Sequence, residues 1–436
     1  MAIDFSLTDE QRQMLDSLSR LRRTVIGPNA PRWQDGSFPY PNMEKLAEIG
    51  VLGMAVPEAY GGSGASVLDT ALALEEISKG CYVTGMAALG EVGVQTRIIA
   101  AFAPESLKRK WLPRIASGDC ILSICMTEPD VGTDLPNMRT NAEVRDGAVV
   151  IRGAKTLISR AAEAHVFVVF TRVDGVPGAK GIGCVLVERG TKGLAAEPKY
   201  HTMGGEYLSD LRFDDVEVPI ENLALRGDSL KRLMNAFNVQ RCLNPAICLG
   251  LAESSLEESV RYSRDRKAFG GPVADFQGMR WKLADMFVRI EACRSLLYRA
   301  AATADPFPDP TLAAAAKIFV NEATIAICSD GVQVHGGYGF TNEFAVARNY
   351  RGVRYGSLGG GTTETLRNLV GRALVERLDV ETGLLAFGMS WAGAPVEFAC
   401  PGAHIPAAAV VRARRTNRGP DDSRSWLSKL KKDAST

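Results

Sequence analysis

Three stretches of this 436-residue chain combine residue types that could hold a phosphorylated or planar ligand. CMTEPDVGTDLPNMRT (125–140) puts hydroxyls, small residues and turn formers at the head of a strand, where backbone N–H groups can face a ligand. YSRDRKAFGGPVADFQGMRWKLADM (262–286) sets Arg266 beside a Gly-Gly turn, and a guanidinium fork suits a phosphate. DGVQVHGGYGFTNEF (330–344), followed by GGGTTETLRNLVGR, holds Gly336 and Gly337, which let backbone approach a phosphate or an adenine. Each alone has a plainer explanation, since glycine pairs are usually turns and an arginine at a helix end is usually a solvated cap. The remaining motif search is negative. No G-x-x-x-x-G-K-[ST], H-E-x-x-H or G-x-S-x-G occurs. GGSGAS at 61–66 follows a helix rather than a strand, which excludes a Rossmann turn. The four histidines (His165, His201, His335, His404) lack ligand spacing, so no metal site is expected. The nine cysteines form no C-x-x-C pair, and buried thiols in a reducing cytoplasm are expected.

These stretches need elements to position them. Thr8-Asp9-Glu10-Gln11 is a capping box, followed by Met14, Leu18, Leu21 and Val25 at helical spacing. A second periodic stretch, Met43 to Met54, ends in VPEAYGGSG, and two further helices follow. Near residue 120 the pattern changes. Asp146-Gly147 lies between alternating runs and signals a hairpin, and short β-branched segments continue to Pro219. From Asp228 the chain is helical again. Phe276, Met279, Leu283, Met286, Phe287, Ile290, Cys293, Leu297 and Ala300 predict one buried stripe on a long bundle helix. The expected architecture is α+β: an N-terminal α-helical domain (1–120), a central β-barrel or sandwich domain (121–225) and a C-terminal four-helix bundle (226–378). An extension over 379–436, rich in Ala, Pro and Arg, is expected to be poorly ordered.

Composition sets limits. Lys plus Arg (51) balances Asp plus Glu (50), so no nucleic-acid partner is expected. The polar start lacks a signal peptide's basic and apolar regions, and no run of about 18 apolar residues predicts a membrane span.

Four motifs, in this order and on these elements, resemble the acyl-CoA dehydrogenase family. They are VPEAYGGSG, MTEPDVGTD, RDRKAFG…FQ and QVHGGYGF, and the resemblance covers roughly residues 5–378. It implies FAD, held non-covalently between β-domain and bundle, and an acyl-CoA substrate. It places Cys125, Met126 and Thr127 along the flavin, Thr133 near the ligand pyrophosphate and Ser159 on the flavin. Arg266, Phe269 and Gln277 would bind the FAD pyrophosphate and adenosine across a subunit interface. Gln333, Gly336 and Gly337 would form a second cross-subunit contact, with Thr362 and Glu364 near the flavin phosphates. A homodimer or homotetramer follows, and an electron-transferring flavoprotein is the family's usual acceptor.

The departures bear on chemistry. Leu157 stands where many members have Trp against the flavin edge, and Gly352 where an Asp usually follows Arg351. The family's general base has two addresses, and here they hold Gly360 and Gln240, the latter before Arg241. The resemblance makes the Gly360 N–H one of two donors to the thioester carbonyl, so enolate stabilisation can survive while the proton acceptor is lost. Pro245 frees the Arg241 carbonyl, either as a simple kink or as an adjustment of Gln240 toward the ligand. Three functions stay open. The first is α,β-dehydrogenation with hydride transfer to flavin N5, by a base from elsewhere (Glu91, Glu343 or Glu364). The second is a base-less acyl-CoA reaction such as a desulfinase-like elimination, against which Met86 replaces the Arg expected to hold a sulfinate. The third is a non-catalytic FAD-binding paralogue.

Overall fold

The computed structural model describes residues 6–377, so the extension 379–436 and Cys400 lie outside the described residues. Helices come first: α1 (Asp9–Leu21), α2 (Gly27–Asn29), α3 (Tyr40–Glu48), α4 (Val67–Gly80), α5 (Tyr82–Val92), α6 (Val94–Phe102) and α7 (Glu105–Ala116). The Thr8 hydroxyl accepts from Gln11 N at 3.2 Å while Gln11 Oε1 accepts from Thr8 N at 3.0 Å, so two orphan donors are satisfied reciprocally. The Met43–Met54 stretch is not one helix. It stops at Glu48, and Val51–Gly53 makes a separate 3-10 turn.

The sheet follows: β1 (Leu122–Cys125), β2 (Asn141–Arg145), β3 (Ala148–Ser159), β4 (Val166–Val173), β5 (Ile182–Glu188), β6 (Leu194–His201), β7 (Tyr207–Pro219) and β8 (Leu223–Leu225). Its order is β6-β7-β3-β2-β4-β5-β8, with β1 parallel to β4 and off that path. Asp146 and Gly147 join β2 to β3 with φ of 31° and 83°, both left-handed as a two-residue hairpin loop requires. Strand β4 is buried on both faces, which explains its unbroken apolar run. Val166, Val168 and Phe170 pack toward the helices, Phe167 and Val169 into the β-domain core.

The C-terminal helices are α8 (Leu230–Ala236), α9 (Asn238–Asp265), α10 (Gln277–Ala301), α11 (Pro310–His335), α12 (Ala345–Val353) and α13 (Thr363–Arg377). A two-strand ribbon, β9 (Lys267–Ala268) and β10 (Gly271–Pro272), joins α9 to α10. Helix α9 packs against α4, α10, α11 and α12. All residues from Asn238 to Ala252 are buried, so this half is enclosed rather than amphipathic. It runs unbroken through Pro245.

The expected α10 stripe is corrected. The stripe on α10 is buried only in its second half, at Met286, Ile290, Cys293, Leu297 and Ala300; Phe276 and Phe287 are 44% and 54% exposed. Periodicity marks an apolar face without saying what covers it. And one segment, Pro310–Phe340, has the length and mean hydropathy (1.4) to cross a bilayer. It is nevertheless a core element, with Ala313, Val320, Ile327 and Cys328 in the helical core.

Candidate functional site

The expected site residues fall into three groups. The first surrounds a cavity of about 500 Å³ at the far end of α9, lined by Tyr262, Arg266, Gln333, His335, Gly336 and Gly337 among others. A Cβ at Gly336 or Gly337 would meet nothing within 4 Å, so the backbone there faces open space. His335 stacks on Tyr262 at 4.4 Å and shares its Nδ1 with Gly331 O at 2.8 Å. Burial pulls its pKa down, leaving the wall neutral apart from Arg266. Phe269 and Gln277 are exposed beside this cavity rather than lining it, Phe269 at 97%.

The second group lies at the exit of β1. Fully buried Lys155 donates to Met126 O (3.0 Å) and to Glu128 Oε1 (2.9 Å). Glu128 also accepts from Arg139 N (2.6 Å) and Thr140 N (2.9 Å). Burial opposes the Glu128 charge, but Lys155 and these N–H donors outweigh it and hold the carboxyl below its usual range. Thr127 O accepts from Thr156 N at 2.9 Å, which ties this exit to β3. The β3–β7 register slips between Lys155 and Ile158, and Leu157, with φ of 56°, is thrown half into solvent. Ser159 is partly buried, its carbonyl held by Ser123 Oγ at 2.8 Å. The Cys125 thiol turns into the β-domain core, where burial pushes it up to about 12, so only its backbone is available to a ligand. Thr133 is exposed.

The third group surrounds Gly360, whose φ of 75° is the left-handed region that glycine tolerates. A Cβ there would lie 3.4 Å from Gln240 Cγ, 3.5 Å from Lys317 Cε and 3.9 Å from Phe237 Cε1. Positions 240 and 360 therefore adjoin each other, with Lys317 beside both. Gly360 N–H donates to no group among the described residues. Gln240, 7% exposed, leaves Oε1 buried without a partner, and Arg241 leaves Nε so. Met126 packs against the cluster that contains Phe237, which links the second group to the third. Thr362 Oγ1 accepts from Thr365 N at 3.3 Å, lies 3.1 Å from Thr365 Oγ1, and caps the turn that opens α13.

The alternative bases are badly placed. Glu91 is buried, but Arg160 Nη1 and Leu122 N both hold it at 3.0 Å. Glu343 and Glu364 are exposed carboxylates with lowered pKa, the first chiefly by Thr341 and the second by its own backbone N–H at the start of α13. Sequence reasoning missed Lys317. Its one signal is a lysine inside the apolar run LAAAAKIFV, and it is fully buried with Nζ donating to Gly356 O (2.7 Å) and Gly361 O (2.9 Å).

Comparison with known proteins matches three family models in succession: acyl-CoA dehydrogenase N-terminal domain at residues 8–119, middle domain at 123–216 and C-terminal domain at 227–375. Benzylmalonyl-CoA dehydrogenase of Aromatoleum aromaticum is 36% identical over 380 residues, 85% of this chain and 99% of that protein. The 3-sulfinopropanoyl-CoA desulfinase of Cupriavidus necator is 31% identical over 386 residues, 85% of this chain and 96% of that one. The structure of butyryl-CoA dehydrogenase from Megasphaera elsdenii superposes with a TM-score of 0.82 at 32% identity, covering 86% of this chain and all of that one.

Proposed function

The chain belongs to the acyl-CoA dehydrogenase family, and from that premise we propose that it is an FAD-dependent enzyme binding an acyl-CoA thioester against the Gly360 N–H, for α,β-dehydrogenation in a pocket without a carboxylate base. The observation that carries this reading is the free Gly360 N–H beside the buried side chains of Gln240 and Lys317. A preorganised backbone donor in a low-dielectric pocket stabilises charge developing on a thioester oxygen. When bound, FAD supplies the two-electron acceptor. The residues fit that cofactor: Arg266 and the open backbone at Gly336–Gly337 suit a pyrophosphate, and the pinned Met126–Thr127 exit suits the edge of a planar ring.

The two ends of this site favour a shared arrangement. Gln240 and Arg266 bracket almost the whole of α9, roughly 39 Å along the helix axis. That exceeds the span of one extended dinucleotide, so the Arg266 cavity serves a neighbouring subunit's cofactor. The exposed apolar side chains of Phe269 (97%), Trp281 (61%) and Phe287 (54%) support a homodimer or homotetramer built on this face. An electron-transferring flavoprotein is the acceptor we assign to the oxidative reading.

Gln240 donates or accepts hydrogen bonds but takes no proton at neutral pH, so the alkyl-substrate reaction should be slow. That same observation favours a second reading, a base-less elimination on an acyl-CoA. The test is direct. The purified protein should be yellow, release FAD on denaturation, and show a perturbed flavin spectrum on anaerobic addition of acyl-CoA. A colourless protein that cannot be reconstituted with FAD overturns both readings.

A further inference from the structure

The Gly360 N–H belongs to a backbone with little stiffness of its own. Gly360 and Gly361 have φ of 75° and 94°, and glycine has the widest choice of backbone angles. Leu358 N and Gly359 N both donate to Tyr355 O, at 3.0 and 2.9 Å, and Thr363 N donates to Ser357 O at 3.3 Å. These bonds close the turn around Gly360 and Gly361 but bond neither residue. The fixing of that stretch comes from α11. Lys317 Nζ donates to Gly356 O at 2.7 Å and to Gly361 O at 2.9 Å, one carbonyl on each side of Gly360. Asn321, one turn further along the same helix face, donates Nδ2 to Gly356 O at 2.7 Å.

Lys317 and Asn321 are fully buried, whereas Gly360 and Gly361 are partly exposed. The side chains are out of a ligand's reach, and the backbone they hold is not. A Cβ at Gly356 would lie 2.5 Å from Cys248 Sγ and 2.7 Å from Asn321 Oδ1, so this end of the turn is pressed against α9 and α11. Keeping an ammonium here is costly, and burial is the chief reason Lys317 falls to about 8. Water can satisfy the carbonyl of a partly exposed residue such as Gly361, so what the lysine adds is a fixed direction. Arg97 likewise donates to neutral groups, Ala65 O and Thr70 Oγ1 at 3.2 Å, but holds no part of this turn. Lys317 differs in which carbonyls it holds.

Resting on the thioester placement proposed above, we infer that Lys317 and Asn321 are positioning residues of the reaction. From α11 they fix the backbone on both sides of Gly360, so that its N–H meets the thioester oxygen already aligned. Neither touches the substrate. A donor fixed beforehand needs no reorganisation as charge develops on that oxygen, and its alignment depends on the groups that support it.

The test compares butyryl-CoA with S-butyl-CoA, the thioether that lacks the carbonyl, by flavin-spectrum titration of the FAD-loaded protein. The two ligands differ at the carbonyl oxygen, so their affinity ratio reads the alignment of its donors. Wild type should favour butyryl-CoA about tenfold, one hydrogen bond's worth. Lys317→Met should lose most of that preference while binding the thioether as wild type does; a side chain that only stabilises the fold would weaken both ligands alike. Asn321→Ala keeps the ammonium and should lose a smaller part, and it decides the matter if Lys317→Met does not load FAD. The wild-type preference should also persist as pH rises through about 8, because the neutral Lys317 amine keeps two N–H donors, one for each carbonyl. The titratable groups facing Lys317 are Arg241 and Cys248; the first stays charged and the second, pushed up to about 12, stays neutral. A wild-type preference retained in the variants overturns the inference. So does a wild-type preference that falls through pH 8, since Lys317 would then act by its charge. Wild type binding both ligands equally well overturns instead the placement of the thioester at Gly360, and this inference with it.

Discussion

Gln240→Glu is the perturbation that separates a missing base from a changed pocket. Position 240 lies in the enclosed half of α9, so the near-isosteric swap needs no backbone change. The new carboxylate enters the space bordered by Gly360 and Lys317, and the Lys317 ammonium favours its ionised form. A positioned general base contributes about 10²–10⁴ in rate. Flavin bleaching by butyryl-CoA, followed anaerobically by stopped flow, should accelerate by that factor. The charge balance gives a second readout. Lys317 is depressed from 10.5 to about 8, worth roughly 3 kcal/mol, and a carboxylate neighbour recovers part of this against its own desolvation. The melting temperature should therefore not fall. Gly360→Glu should give less, because the φ of 75° costs a side-chain residue about 1–2 kcal/mol. If Gln240→Glu keeps FAD and still binds butyryl-CoA but bleaches no faster than wild type, the argument that only the proton acceptor is missing fails.

Three further outcomes follow from the same contacts. Arg266→Ala removes the one cation on the wall of the 500 Å³ cavity and should weaken FAD retention about tenfold or more, read by FAD titration of the apoprotein. Lys155→Met leaves the buried Glu128 carboxylate without its cation and should cost about 3–5 kcal/mol in denaturant unfolding, a loss that the double change with Glu128→Gln should partly restore. Lys317 titrates lower in the folded chain (about 8) than unfolded (10.5), so its penalty is fully present below pH 8 and is relieved as pH rises toward 10.5. Wild type should gain up to roughly 3 kcal/mol relative to Lys317→Met across that window, and parallel stability profiles of the two proteins would contradict the assignment.

Much of the architecture was legible because its signals are local. The Thr8–Gln11 cap and the Asp146-Gly147 hairpin involve neighbours only, and β-branched runs separated by turn residues placed the sheet. The α10 stripe shows the limit. Met286 and Ile290 meet the helical core, while Phe287, one step round the same helix, meets solvent. An identical apolar signal thus serves two surfaces. Lys317 shows a different limit, because its acceptors at Gly356 and Gly361 are 39 and 44 residues away, and only folding brings them to its ammonium. The Lys155–Glu128 pair, 27 residues apart, was hidden for the same reason.

The two buried lysines perform different structural tasks. Lys155 and Lys317 are both fully enclosed, and burial depresses the pKa of both. Lys155 has a carboxylate and pins the chain at Met126, which is a structural task complete in itself. Lys317 has only carbonyls, and it stands beside positions 240 and 360. A buried ammonium answered by carbonyls alone keeps much of its desolvation cost. What it gains is position, because its two bonds tie α11 to the carbonyls of Gly356 and Gly361, which flank the free Gly360 N–H and hold that backbone in place.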